Sequence, residues 1–187
     1  MAQKRKDWNG LISGFSASDL VFLDESGCNT DMTRRYAYSL GGSRAVDSAP
    51  LSKPKNTTIL SSIQLDGTLH YTTFSGGTTV ERFKRYLETD LLPHLNGNSV
   101  LIMDNMKSHH AKAVKNLLDS SGIRYIYLPP YSPDLNPIEK LWSKVKAFLR
   151  KFKARTLDAL PNAIQNAFHS VTVSDCSGWF RFCGYAL

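Results

Sequence analysis

In the C-terminal half of the chain, short apolar runs alternate with segments whose apolar residues recur at helical spacing. This order constrains the fold more than any other feature. SVLIMD (99–104) and IRYIYL (123–128) are short apolar runs of the kind that form buried strands. HHAKAVKNLLDSSG (109–122) and the segment 137–150 instead repeat their apolar residues at helical spacing. An order of strand, helix, strand, helix predicts parallel strands joined by right-handed crossovers.

The N-terminal half has the pattern of an antiparallel meander. LVFLD (20–24) is a short apolar run before the turn-like ESGCNTD, and YAYSL (36–40) alternates as a second strand. Two longer runs, 57–65 and 68–74, flank an Asp-Gly pair that is typical of a hairpin. We therefore predict an α/β domain with a mixed sheet, antiparallel in its first part and parallel in its second, flanked by helices.

Two further helices are expected outside this alternation. Apolar residues between Val80 and Leu91 recur at helical spacing until Pro93 ends the pattern. A last helix is predicted at about 157 to 169, with Pro161 near its start, where proline is tolerated. The aromatic tail that follows is expected to pack onto the domain.

Length and cysteine content restrict the class of protein. The 187 residues suffice for one domain with a buried core. No apolar run approaches the roughly 20 residues of a membrane helix, and no secretory h-region follows the charged N-terminus. Cys28, Cys176 and Cys183 lack CxxC spacing, which is typical of buried thiols in a reducing compartment. We expect a cytoplasmic protein without a membrane partner, associated with the nucleoid if the source is bacterial.

The charge of the chain predicts a polyanionic partner. The net charge is +7, and basic residues follow position 139 with no acidic residue until Asp158. Those that we assign to a DNA-binding surface are Lys140, Lys144, Lys146, Arg150, Lys151 and Lys153. A solvated helix face would show the same pattern, but phosphate contacts supply most nonspecific affinity for DNA.

Three acidic residues from distant parts of the chain are candidates for one catalytic site. Asp24 and Asp104 each end an apolar run, and the carboxyl ends of adjacent parallel strands share one edge of a sheet. Glu139 opens the helix after the next strand, so it can reach the same edge. Clustered carboxylates repel one another unless a hard divalent cation, such as Mg²⁺, neutralises them. Two such ions about 4 Å apart promote phosphoryl transfer.

Each acid also has a structural interpretation. Asn136-x-x-Glu139 has the spacing of a helix capping box, in which Glu139 only binds backbone. Asp24 and Asp104 also suit turns at strand ends.

Two neighbouring motifs have alternatives as well. His109 and His110 are either metal ligands or residues at the start of a helix. Pro130-Tyr-Ser-Pro133 matches a PxxP docking motif, but its place between a strand and a helix favours a rigid elbow.

Three segments resemble the catalytic blocks of the DDE transposases, specifically the mariner-like superfamily and its bacterial insertion-sequence relatives. They are VFLDESG, LIMDNMKSHH and LPPYSPDLNPIEKLWSKVK. The 34 residues between Asp104 and Glu139, positions 105 to 138, match the spacing typical of that superfamily. The resemblance extends from about residue 20 to the end and includes RRYAYSLGGSR and DCSGWFRFCGY.

This resemblance implies an RNase H-like fold with a mixed five-stranded sheet and two Mg²⁺ or Mn²⁺ ions held by Asp24, Asp104 and Glu139. It implies cleavage of double-stranded DNA at transposon ends and strand transfer into target DNA, usually at TA, by a homodimer. Asn105 and His109 match positions of the second block and are accessory candidates.

The N-terminus departs from the family pattern. Members usually carry helix-turn-helix units before the catalytic domain, whereas fewer than 20 residues precede the first strand here. We expect 1–19 to be a lead-in and 20–187 the catalytic domain, with helix-turn-helix units supplied in a longer or frameshifted product. Two other functions stay open: a non-catalytic DNA-binding or regulatory protein derived from a transposase, and an RNase H-like nuclease acting on hybrids or junctions.

Overall fold

A five-stranded mixed sheet lies between two layers of helices in the computed structural model, which describes residues 2–34, 36–48, 50 and 54–185. In chain order the main elements are α1 (Ala2–Ile12), β1 (Leu20–Cys28), β2 (Thr57–Ile63), β3 (Leu69–Ser75), α2 (Val80–Tyr86), β4 (Val100–Met103), α3 (Lys112–Ser121), β5 (Arg124–Tyr127), α4 (Ile138–Phe152), α5 (Ala159–His169) and α6 (Val173–Phe182).

The strand order is β3-β2-β1-β4-β5. Strands β1, β2 and β3 pair antiparallel, whereas β4 pairs parallel with both β1 and β5. The hairpin between β2 and β3 turns at Gly67, whose φ of +89° is accessible to glycine at little cost. The predicted arrangement, an antiparallel meander followed by parallel strands, is confirmed.

Strand β1 lies at the centre of the sheet and is buried on both faces. Leu20 and Phe22 pack into the core formed with α4, α5 and α6, and Val21 and Leu23 pack into the core formed with α2 and α3. This alternation follows from the two-residue period of a strand. Each such side chain contributes about 1.5–3 kcal/mol relative to exposure.

The prediction of a strand at YAYSL is wrong. Residues 36–40 form no strand, and Tyr36, Tyr38 and Leu40 are exposed. In the sheet, β2 and β4 occupy both sides of β1, so the segment that follows β1 along the chain has no place beside it. Arg35, part of the matching segment RRYAYSLGGSR, lies outside the described residues.

The first strand is longer than predicted. Residues 25–28, which were assigned to a turn, continue β1 because β2 pairs with them from Glu25↔Leu60 to Cys28↔Thr57. Local turn propensity is outweighed here by a continuous ladder of hydrogen bonds. Asp24 is therefore in the middle of a strand rather than at its exit.

The predicted helices are present, and two more were missed. The segment after Val80 is helical through α2, a π-helical turn (Leu87–Leu91) and a 3₁₀ turn (Leu92–His94). In α5, Pro161 lies in the first turn, where no intrahelical N–H bond is lost. The missed helices are α1, whose Trp8 is buried in the core, and α6, whose capping box between Thr172 and Asp175 was a readable signal.

The three cysteines are buried free thiols, as predicted. Burial raises the pKa of each to about 11, so their thiolates are scarce at neutral pH. Within the described ranges, no helix combines the length and the hydropathy needed to cross a membrane.

Candidate active site

Asp24, Asp104 and Glu139 line one cleft of about 560 Å³. The pairing of β1 with β4 ends at Leu23↔Met103, so Asp24 and Asp104 are the next residues on adjacent parallel strands. Strands diverge at such an edge and leave a crevice for ligands. Glu139 enters from the first turn of α4, on the opposite wall.

The side chain of Asp24 is held by Trp142. The indole Nε1–H donates to Asp24 Oδ2 at 3.0 Å. Burial raises the pKa of Asp24 to about 7, and the charges of Glu25 and Asp104 act in the same direction. The hydrogen bonds from the Glu25 backbone and Trp142 oppose this shift without cancelling it. A cation in the cleft would relieve this repulsion.

The side chain of Asp104 is held by His109. Asp104 Oδ1 lies 2.8 Å from His109 Nδ1 and accepts the Met106 backbone N–H at 2.9 Å. Burial alone would raise the pKa of Asp104, but the hydrogen bonds from His109 and Met106 outweigh it and keep the pKa below its ordinary value. The carboxylate is therefore ionised at neutral pH, with half of its side chain open to the cleft.

His109 bridges two carboxylates. Its ring is fully buried, stacks on Phe83 at 4.2 Å, and places Nε2 3.1 Å from Glu25 Oε1. Burial lowers the pKa of His109, but the hydrogen bonds to Asp104 and Glu25 prevail and raise it to about 9. With a carboxylate at each nitrogen, the imidazolium donates both bonds. The metal-ligand interpretation of His109 does not fit this arrangement.

Glu25 is a site residue that sequence reasoning missed. Successive residues of a strand face opposite sides, so Asp24 lies on the α4 face of the sheet and Glu25 on the face of α2 and α3, while both line the cleft. The Glu25 side chain is only 9% exposed. The available signal was that Glu25 directly follows Asp24, but the Ser-Gly after it indicated a turn.

The proline segment forms the predicted elbow between β5 and α4. Asn105 Nδ2 donates to the Leu128 carbonyl at 2.5 Å, and Leu128 N–H donates to the Met103 carbonyl at 2.8 Å. These bonds join the loop that carries Asp104 to the start of the elbow. Tyr131 in its centre has φ +54°, a left-handed conformation that is rare for an aromatic residue.

Glu139 does not form the capping box. Helix α4 begins without a side-chain capping bond, and Asn136 Oδ1 is buried with no hydrogen-bond partner among the described residues. Glu139 is exposed. Its carboxylate is therefore free to take part in the cleft, and Asn136 Oδ1 adds an uncommitted oxygen to the same wall.

The chemistry of the cleft suits a hard divalent cation, because its polar side chains offer carboxylate and amide oxygens. Across the ranges that the structure describes, no three acidic, histidine or cysteine side chains are arranged to hold one ion. The three predicted ligands thus share a cleft, with Glu139 facing the aspartates from the other side.

The six predicted DNA-binding cations do not share one surface: five lie on different faces of α4, and Lys153 follows the end of the helix. Lys146 and Arg150 lie seven and eleven residues after Glu139, on its face of the helix, and line a second hollow with Gly27 and Cys28 of β1. Of the remaining four cations, three contact other side chains of the protein and one is exposed. Lys140 lies 3.9 Å over the Phe182 ring, Lys144 binds Asp175 at 2.5 Å, Lys153 binds Asp47 at 2.5 Å, and Lys151 is exposed.

Comparison with known proteins identifies the family. Residues 19–161 match the DDE superfamily endonucleases. The chain belongs to this family. The match contains the acids of the cleft, the bridging histidine and the elbow, and ends within α5. The family prediction is confirmed, while the bacterial branch stays a prediction.

Relatives of this DDE endonuclease chain include two nematode transposases. It is 28% identical over 97 residues to the Tc1 transposase of Caenorhabditis elegans, covering 50% of this chain and 36% of that protein. It is 29% identical over 75 residues to the Tcb2 transposase of Caenorhabditis briggsae, covering 40% and 28%. The aligned part is about a third of each relative.

Solved structures with the same fold include those of Mos1 transposase. A pre-cleavage Mos1 transpososome has a TM-score of 0.81 at 18% identity, covering 97% of this chain and 58% of that one. The catalytic domain of Mos1 mariner transposase has a TM-score of 0.73 at 16% identity, covering 96% and 85%. The predicted RNase H-like fold is thereby confirmed.

Proposed function

We propose that this DDE endonuclease is the catalytic domain of a mariner-like transposase, which cleaves transposon-end DNA and transfers the cut strand into target DNA at TA sites. The observation that carries the proposal is the convergence of Asp24, Asp104 and Glu139 on one cleft from three separate elements. Mos1 paired-end complexes with Mn and with Mg are among the structural neighbours and support a DNA substrate and a divalent metal.

Asp24, Asp104 and Glu139 would hold two Mg²⁺ or Mn²⁺ ions, which when bound activate the attacking oxygen and stabilise the leaving oxygen of the phosphodiester. The chain's own residues prepare this arrangement. Trp142 and His109 each hold one oxygen of an aspartate, and the elbow sets where α4 begins. Because the cleft is open, Glu139 has to turn towards the aspartates before all three can share the ions.

The DNA strand would run from the acids along the groove between β1 and α4. Lys146 and Arg150 follow Glu139 on the same helix face and provide phosphate contacts there. We propose residues 20–187 as the catalytic domain, acting as a homodimer, with end recognition by helix-turn-helix units in a longer product. The Mos1 assembly named as a paired-end complex supports pairing of two chains.

The test is nicking of supercoiled plasmid with Mn²⁺ or Mg²⁺. Asp104→Asn and Asp24→Asn should each abolish nicking and keep the far-UV circular dichroism spectrum. Asp66→Asn, in the exposed hairpin turn, is the matched control and should nick like the wild type. Full activity of Asp104→Asn would refute the metal assignment.

Two further measurements on the purified protein distinguish the proposed function from the two other functions. A non-catalytic transposase derivative would bind no Mn²⁺ at millimolar concentration in a calorimetric titration. A nuclease for hybrids or junctions would cleave those substrates in preference to linear duplex.

A further inference from the structure

We infer that Glu25 and His109 together position Asp104, so that one carboxylate oxygen is held and the other is presented to the cleft. This inference rests on the proposed metal-dependent function. Asp104 Oδ1 accepts two bonds, from His109 Nδ1 and from the Met106 backbone N–H. A carboxylate held in this way has one oxygen left to ligate an ion.

The orientation of His109 is itself determined from three sides. Glu25 Oε1 accepts from Nε2 at 3.1 Å, the Phe83 ring stacks on the imidazole, and the Tyr127 hydroxyl donates to the His109 carbonyl at 3.0 Å. The ring has no exposed surface. Rotation of the imidazole would break both carboxylate bonds, so Glu25 acts on Asp104 through His109.

If His109 acts by positioning Asp104, its removal should weaken Mn²⁺ binding; if it acts only through its positive charge, its removal should strengthen it. Hydrogen-bonding partners behind metal ligands typically contribute 10–100-fold to metal affinity by orienting the ligand. If His109 contributed only its positive charge, its removal would strengthen cation binding by reducing repulsion. The direction of the change in Mn²⁺ affinity therefore distinguishes the two roles.

Two substitutions of His109 form a matched pair. The amide nitrogen of His109→Asn reaches the place of Nδ1 and can still donate to Asp104, whereas that of His109→Gln reaches the place of Nε2 and serves only Glu25. Both remove the imidazolium. We expect His109→Gln to weaken Mn²⁺ binding about 10–100-fold, and His109→Asn to recover most of that loss.

A second matched pair of substitutions, at Glu25, tests the same inference if the His109 variants do not fold. Glu25→Gln retains an acceptor for Nε2, and Glu25→Met has a similar shape without one. Glu25→Met should weaken Mn²⁺ binding, and Glu25→Gln should stay near the wild type. Leu160→Ala, which opens a cavity at α5 in the core on the other face of the sheet, controls for loss of stability alone and should leave the affinity unchanged.

The measurement is calorimetric titration of the full chain with Mn²⁺, with circular dichroism as the check of folding. Equal affinities within both pairs, or tighter binding by His109→Gln, would overturn the inference while leaving the proposed function intact. A wild-type chain that binds no Mn²⁺ would overturn both.

Discussion

Trp142 donates its indole N–H to Asp24 across 118 positions of sequence, at 3.0 Å. The bond joins the first turn and a half of α4 to the centre of β1, so the helix that carries Glu139 and the strand that carries Asp24 are tied to one another. Trp142 also packs edge-to-face on Phe168 of α5 at 6.5 Å. The indole is thus both a core residue and the support of a site carboxylate.

Trp142→Phe should lower activity more than stability. The ring still fills the core, but Asp24 loses a hydrogen bond, which we expect to reduce the free energy of unfolding by about 1–2 kcal/mol and the nicking rate by about 10-fold or more. Urea unfolding and plasmid nicking measure the two effects. If Trp142→Phe nicks at the wild-type rate, Trp142 has only a packing role. Phe148→Leu, which also alters packing of α4, serves as the control.

Lys146 and Arg150 should carry the phosphate contacts of α4. Replacing both by Gln should weaken binding to linear duplex and reduce the slope of log affinity against log salt by about 2, one for each lost contact. Lys140 and Lys144, which α6 engages, form the matched pair, and their double Gln variant should change the slope less. Fluorescence anisotropy at several salt concentrations gives both slopes, and equal reductions would contradict the assignment of the phosphate contacts to Lys146 and Arg150.

The capping box of α6 should make stability depend on pH. The hydrogen bond from Lys144, together with the Thr172 bonds, lowers the pKa of Asp175, so the ionised form is favoured in the folded state. This contribution is present above the ordinary aspartate pKa of about 4 and is lost as the pH falls through the folded value.

Asp175→Asn should therefore be less stable than the wild type at pH 7 by about 0.5 kcal/mol, because the amide oxygen still accepts from Thr172 but the charge that Lys144 binds is lost. The difference should shrink below about pH 4. Thermal unfolding between pH 2 and pH 7 would reveal it, and a constant difference across that range would argue against the charge of Asp175 as its source.

Tyr131 should be under backbone strain at the rim of the cleft. A left-handed conformation costs an L-residue about 1–2 kcal/mol, and glycine is exempt. Tyr131→Gly and Tyr131→Ala both remove a ring that is 88% exposed, so they differ mainly in backbone freedom. We expect the Gly variant to be more stable than the Ala variant by about 1 kcal/mol in urea unfolding. Greater stability of the Ala variant would show that the elbow relaxes at this position.

Much of the fold was predictable because its signals are local. Apolar runs and helical spacing located the buried strands and α4, and the parallel pairing of β4 with β5 follows from the helix α3 that joins them. YAYSL has a strand pattern as clear as the others, yet its side chains are exposed and it pairs with none of the five strands, because β2 and β4 take both sides of β1. The end of β1 was predicted too early, because residues 25–28 favour turns in the sequence but pair with β2 in the sheet.

The sequence by itself predicted the three acids of the cleft, because Asp24 and Asp104 follow short apolar runs and Glu139 follows a helix-start signal, and these patterns are local. Only the tertiary structure decided what supports them. The bond of His109 with Glu25 joins residues 84 positions apart, and that of Trp142 with Asp24 joins residues 118 apart. Such contacts depend on strand register and helix docking, which arise from packing of the whole domain and leave no local pattern in the chain.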